Sequence, residues 1–185
     1  MAAARSKVRE WAGSIAFFGG AYLLVNTFLY QGFYVPSESM LPTLKVGDQF
    51  YAAKYAYGYS RFSTSFVPLP FGSGRFPDIT PERGDIVVFR LPTTEEDYVK
   101  RVIGLPGDTV QIAGKRSFVN GERLPDPDSA AITPLMRQRG DFDADIYPKG
   151  STYNRDWWGP MVVPFRGMRI DLTLENIDQW RLFIE

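Results

Sequence analysis

From Trp11 to Ser37 the chain carries no charged residue, and this run of 27 positions constrains everything that follows it. About 20 apolar residues cross the hydrocarbon of a bilayer, and a single span must satisfy its own backbone polar groups, which means a helix. Phe17, Phe18, Tyr22, Leu23, Leu24, Val25, Phe28 and Leu29 supply the apolar bulk, with Trp11 at one end and Tyr30, Phe33 and Tyr34 at the other as aromatic belts. Ser14, Gly19, Gly20, Asn26 and Gln31 dilute the hydropathy, so a cleaved signal peptide and a buried core helix compete with an anchor. A signal peptide has a shorter apolar core and ends at small residues, whereas this run ends in bulky aromatics and Pro36, which favours an uncleaved anchor over residues 11–34. In the flanking tail, residues 1–10, Arg5, Lys7 and Arg9 outweigh Glu10. That bias places the N-terminus in the cytoplasm and the remainder of the chain outside it.

Composition removes several chemistries. The 185 residues include no His and no Cys, which excludes a Ser-His-Asp triad, a thiol nucleophile, a thiolate or imidazole metal site and a disulfide. A nucleophilic serine in such a chain needs another activator, and a desolvated lysine is the known alternative. Lys plus Arg equals Asp plus Glu at 21 each, which argues against nucleic acid as a partner. No cofactor or metal is expected.

Beyond the span, short β-branched and aromatic runs alternate with turn signals. Gln49–Tyr55, Ile86–Phe89 (as a buried strand), Tyr98–Ile103 and Thr109–Ala113 read as strands. Asn120-Gly121 between two short runs in Ser117–Leu124 is the sequence form of a two-residue hairpin. Trp157–Val163 and Gly167–Thr173 suggest two more strands, and Leu174–Ile184 has apolar residues at helical spacing. Gly58–Pro81 reads as a long loop, a surface or membrane-interface excursion carrying Phe62, Phe66, Val67, Leu69 and Phe71. The pattern predicts a mainly β, antiparallel, partly closed fold preceded by one transmembrane helix.

Two stretches draw attention for chemistry. Val35-Pro-Ser-Glu-Ser-Met-Leu-Pro-Thr-Leu44 holds Ser37 and Ser39 between prolines that enforce extended, non-helical backbone. Lys100 shares a strand face with Tyr98 and Val102, and if that face looks inward, desolvation lowers its pKa toward the range of a general base. On the residues alone, ordinary turn chemistry for the serines and a solvent-facing lysine remain open alternatives.

In order and spacing, Pro36-Ser-Glu-Ser-Met-Leu-Pro-Thr-Leu44, Arg83-Gly-Asp-Ile-Val-Val-Phe89 and Asp97-Tyr-Val-Lys-Arg101 with Gly104-Leu-Pro-Gly-Asp108 resemble the boxes of bacterial type I signal peptidases. The resemblance implies that Ser39 is the nucleophile, Lys100 its general base, and the Ser37 hydroxyl with the Ser39 amide the oxyanion hole. It puts Phe33, Val35, Met40, Leu44, Tyr98 and Val99 where the family lines shallow pockets for small side chains. It further implies a monomeric enzyme of the bacterial inner membrane that acts on the signal peptides of exported preproteins, with a catalytic β-domain over 35–124 and a non-catalytic insertion over 125–185. Two departures accompany it. Glu38 stands where the family commonly has Gly, and the family's final Gly-Asp-Asn-Arg-Asp-Asn-Ser box, which orients the lysine, is represented by no more than Asn154-Arg-Asp156, with no serine after Ser151. The sequence therefore predicts either a partial chain or a degenerate, catalytically inactive β-domain tethered to the membrane. A self-cleaving repressor, which shares the Ser/Lys chemistry, fits poorly with an anchor and no basic region.

Overall fold

The computed structural model describes residues 2–60, 63–64, 74–91, 94, 96–126, 135–144, 146–178 and 180, with side chains from Glu10 onward. Helix α1 (Ala2–Leu24) opens the chain and passes through a π-helical turn, Val25–Leu29, before the backbone becomes extended at β1 (Tyr30–Tyr34). Glu10–Leu29 is long and apolar enough to cross a membrane, and none of its most apolar window is buried against protein. The uncharged run is thus helical only in its first two thirds. Tyr30, Phe33 and Tyr34 lie on a strand, because β2 (Gln49–Ala53) pairs antiparallel with them, in a register that sets Tyr30 against Ala53 and Tyr34 against Gln49.

The chain divides into two units. Unit 1 comprises Met1–Glu38, Lys45–Pro81 and Val88–Asp97. A helix leaves its last carbonyls without intrahelical partners. Here Lys54 donates through Nζ to the Thr27 carbonyl at 3.4 Å, and the Tyr59 hydroxyl to that of Phe28 at 2.6 Å. The Lys54 backbone N–H takes the Leu29 carbonyl at 2.9 Å. Burial at this position pushes the Lys54 pKa down. Two backbone hydrogen bonds of 2.9 Å between Tyr59 and Phe76 pinch the base of the long loop. Its apolar residues Phe62, Phe66, Val67, Leu69 and Phe71 lie outside the described residues.

Unit 2 comprises Ser39–Leu44, Glu82–Val87 and Tyr98–Glu185. Its sheet has the order β7-β6-β5-β8, built from β5 (Thr109–Ala113), β6 (Arg116–Val119), β7 (Glu122–Arg123) and β8 (Trp157–Val162). Asn120 and Gly121 both adopt positive φ, 53° and 83°, as a type I′ turn requires, so the hairpin forms where it was read. Pro160 lacks an N–H, and β8 accommodates it as an edge strand whose register against β5 shifts between Val110 and Ile112. Val119 and Met161 are buried in this unit. β3 (Ile86–Arg90) and β4 (Asp97–Arg101) form a separate hairpin. The sheets are antiparallel and not closed into a barrel, in keeping with a partly closed β-fold.

Three expectations need correction. Ile86 and Phe89 are exposed by more than a third, so β3 is not a buried strand but one layer of a two-stranded ribbon. Gly167–Thr173 forms no strand. Its backbone turns at Phe165–Met168, and its Asp171 carbonyl accepts from the Asn176 amide instead of a neighbouring strand. Past it, Thr173 and Asn176 cap each other, side chain to backbone N–H, at 2.8 and 3.3 Å and start a helical turn. Leu174 is 94% exposed while Trp180 is buried, so the first apolar position of the expected periodicity faces solvent. Residues 179 and 181–185 of that segment lie outside the described residues.

Candidate active site

Ser39 sits in the 3₁₀ turn Glu38–Met40, which Pro36 and Pro42 isolate from regular structure on either side. Met40 is buried and anchors the turn, and the Leu44 N–H closes it by donating to the Met40 carbonyl at 3.0 Å. Ser39 itself is exposed, which leaves its hydroxyl accessible to a substrate. From β4, Lys100 reaches this hydroxyl with Nζ 2.5 Å from Oγ. The same amine lies 5.9 Å from the centre of the Tyr98 ring, two residues away on the same strand face. That face is half-buried, less enclosed than a fully inward one. The serine and the lysine are 61 positions apart in the chain, and this short polar contact is the geometry that a serine nucleophile and a lysine base require.

A cleft of about 930 Å³ opens at the pair. Ser39, Met40 and Thr43 line it from the serine loop, and Lys100, Arg101 and Val102 from the lysine strand. Arg83 and Gly84, in the turn before β3, Lys115, in the turn between β5 and β6, and Ser117 of β6 extend the wall.

Of the residues expected to shape the substrate pockets, Met40 lies in this cleft, and Leu44, Tyr98 and Val99 are half-buried in the same unit. Phe33, Val35 and Ser37 belong to the other unit. There Phe33 stacks on Phe50 at 5.7 Å, and Val35, 1% exposed, exchanges backbone hydrogen bonds of 3.0 Å with Gly47 and Asp48. Ser37 lies exposed at the bend leading into the 3₁₀ turn.

Sequence reasoning gave three polar groups no partners. Arg101 donates to the Gly84 carbonyl at 2.8 Å and to Thr43 Oγ1 at 2.9 Å, and no periodicity in the sequence marks those acceptors. Asp108 accepts from the Leu105 N–H at 2.6 Å, the Asn120 amide at 2.8 Å and Arg83 at 2.9 Å. The first two of these bonds, reinforced by the guanidinium, hold its carboxyl below the usual carboxylate range. Its place at the end of Gly-Leu-Pro-Gly-Asp, a turn, was the available clue. The third is Asn154 with Asp156. The fully buried Asn154 side chain donates to the carbonyls of Gln138 and Asp141 and accepts from the N–H groups of Asp156 and Trp157, all within 3.1 Å. Asp156 takes the Arg137 N–H at 2.7 Å and lies 3.8 Å from the Lys115 amine. These residues knot the described parts of the 135–157 region together.

Among the described residues no cluster of three or more acidic, His or Cys side chains is arranged to hold a metal.

Comparison with known proteins agrees with this geometry. The family model described as "Signal peptidase, peptidase S26" matches residues 8–150, which include both the serine loop and the lysine strand. The chain is 39% identical over 176 residues to signal peptidase I of Rickettsia canadensis (strain McKiel), covering 94% of this chain and 64% of that protein. To signal peptidase I of Rickettsia felis (strain ATCC VR-1525 / URRWXCal2) it is 42% identical over 118 residues, 63% of this chain and 44% of the relative. To that of Rickettsia akari (strain Hartford) it is 41% identical over 147 residues, 78% and 55% respectively. The chain thus spans from under half to just under two thirds of the length of these relatives. With a family match over most of its length and a serine loop and lysine strand in contact within that match, the chain belongs to the signal peptidase family, peptidase S26.

Proposed function

We propose that this chain carries the Ser/Lys dyad of a membrane-anchored serine endopeptidase that removes signal peptides from exported preproteins. The observation that carries the reading is the 2.5 Å contact between Ser39 Oγ and Lys100 Nζ in a chain with neither His nor Cys. Ser39 Oγ attacks the carbonyl carbon of the scissile bond while the Lys100 amine takes the hydroxyl proton. Collapse of the tetrahedral intermediate breaks the C–N bond, and Lys100 returns that proton to the leaving amine. A water deprotonated by the same amine then hydrolyses the acyl-enzyme. The Ser39 N–H and the Ser37 hydroxyl stabilise the oxyanion, and Met40, Leu44, Tyr98 and Val99 restrict the flanking subsites to small side chains.

On this reading residues 1–10 are the cytoplasmic tail, 11–34 the anchor and its interfacial exit, 35–124 the catalytic part and 125–185 an insertion. A bacterial plasma membrane is the setting, with the catalytic part on its outer face. The Glu10–Leu29 helix supports an anchor by length and composition, and the basic residues ahead of it support the orientation.

The test is cleavage of a preprotein with alanine at its processing site by the reconstituted enzyme that contains this sequence. Ser39→Ala and Lys100→Arg should each lower the rate by at least about a hundredfold, since a guanidinium does not deprotonate and a general base contributes roughly 10²–10⁴. Lys100→Arg with parental activity would eliminate the lysine base.

A further inference from the structure

We propose that Arg101 is a positioning residue that staples the serine loop to the lysine strand through the Thr43 hydroxyl. The inference rests on the assignment of Ser39 and Lys100 made above. Lys100 and Arg101 are consecutive on β4, so their side chains leave the strand on opposite faces, yet both reach the loop that carries Ser39. Lys100 meets it at Ser39, and Arg101 meets it four residues later at Thr43 Oγ1, 2.9 Å away.

The other arm of the guanidinium holds the Gly84 carbonyl at 2.8 Å. Gly84 is itself fixed to the end of the lysine strand, because its N–H donates to the Val102 carbonyl and the Val102 N–H to the Asp85 carbonyl, both at 2.8 Å. One rigid, planar fork therefore spans from a point locked to β4 to a point on the serine loop. A lysine amine at the end of a flexible four-carbon stem fixes no separation alone, whereas the fork loses little freedom in making two bonds. A misplacement of about 1 Å at a reacting pair costs on the order of a hundredfold in rate. The staple holds Ser39 Oγ within reach of Lys100 Nζ before any substrate arrives.

The chain contains no cysteine, so Ser39→Cys introduces a single thiol at the reacting position, and its alkylation by iodoacetamide reads the contact with Lys100 without requiring peptidase turnover. A cationic amine beside a thiol stabilises the thiolate, so the pH midpoint of alkylation in Ser39→Cys lies below the free-thiol value of about 8.5. In that background Lys100→Ala should raise the midpoint to the free-thiol value. Thr43→Val, which removes the acceptor at nearly constant shape, and Arg101→Lys, which keeps the charge but loses the fork, should each raise it part of the way. At pH 7 the alkylation rate should fall roughly three- to tenfold in both. Thr43→Ser should restore the Ser39→Cys value. Unfolding midpoints are compared in parallel, since a loss of fold would lower them together with the thiol signal, while loss of the staple leaves them in place. In the enzyme with Ser39 intact, Thr43→Val should lower kcat and leave KM unchanged. If Lys100→Ala moves the thiol midpoint and both Thr43→Val and Arg101→Lys leave it fixed, the staple is overturned and the dyad stands. If Lys100→Ala moves nothing, the dyad contact is absent and both proposals fall.

Discussion

Replacing Gly104 by alanine tests whether the close packing that carries the chain from the lysine strand into the main sheet is real. A Cβ built on Gly104 would lie 2.5 Å from Val110 Cγ2 and 2.8 Å from Val163 Cγ2, against 3.4–4 Å for ordinary contact. Each neighbour is β-branched and confined to few χ1 wells, so neither gives way freely. Forcing a methyl into packed surroundings costs about 1–3 kcal/mol. Gly104 is not among the glycines with positive φ, so alanine recovers about 0.4–1 kcal/mol by restricting the unfolded chain. With two contacts this short the steric cost falls in the upper half of that range, about 2–3 kcal/mol, for a net destabilisation of about 1–2.5 kcal/mol. At about 2–4 °C per kcal/mol for a chain of this size, Tm should fall by roughly 2–10 °C. The assay is reversible unfolding of the full chain in detergent, followed by near-ultraviolet circular dichroism, for Gly104→Ala, Val110→Ala and the double variant. Removing the Val110 methyls vacates the space the new Cβ needs, so the double variant should be more stable than the sum of the singles by about 0.5 kcal/mol or more. Additivity within about 0.3 kcal/mol, or a Gly104→Ala protein more stable than the parent, would refute the packing argument.

Two further outcomes follow from hydrogen-bonded polar side chains. The Asp108 carboxyl titrates below its unfolded value of about 3.9, so its contribution to stability is complete above that value and disappears as pH falls through the depressed one. The stability difference between the parent and Asp108→Asn, from urea unfolding at a series of pH values, should therefore be largest near neutrality and vanish in acid; a difference independent of pH would contradict the assigned hydrogen bonds. Asn154→Ala would take from the Asp141 carbonyl and the Asp156 N–H the bonds they make to a side chain that is 0% exposed, at about 1–3 kcal/mol for each group that water cannot reach, while the Gln138 carbonyl and the Trp157 N–H keep backbone partners at 3.2 Å. It should lower Tm more than Gly104→Ala does, and a shift of less than about 2 °C would mean that the 135–157 knot is not held by this residue.

Local signals in the sequence determined the strands and turns well. The β5 and β8 runs, the Asn120-Gly121 hairpin and the apolar helix are each decided by residues within a few positions of one another, through period, turn chemistry and hydropathy. The absence of His and Cys excluded the histidine- and thiol-based sites, and the resemblance of the serine loop and the lysine strand to signal-peptidase boxes implied a Ser/Lys site before any coordinates. Where prediction failed, a partner far along the chain had overridden the local pattern. Pairing with β2 drew Tyr30–Tyr34 out of the uncharged helix-like run, and Gly167–Thr173 had strand-like residues but no strand to pair with. The resemblance of Asn154-Arg-Asp156 to a motif fragment rests on residue types and does not give their hydrogen-bond partners, which lie 13 to 19 residues away. Only the tertiary structure could set Lys100 Nζ 2.5 Å from Ser39 Oγ and give Arg101 its two acceptors, since such contacts depend on how strands and loops pack, and a sequence fixes side-chain periodicity without fixing distance.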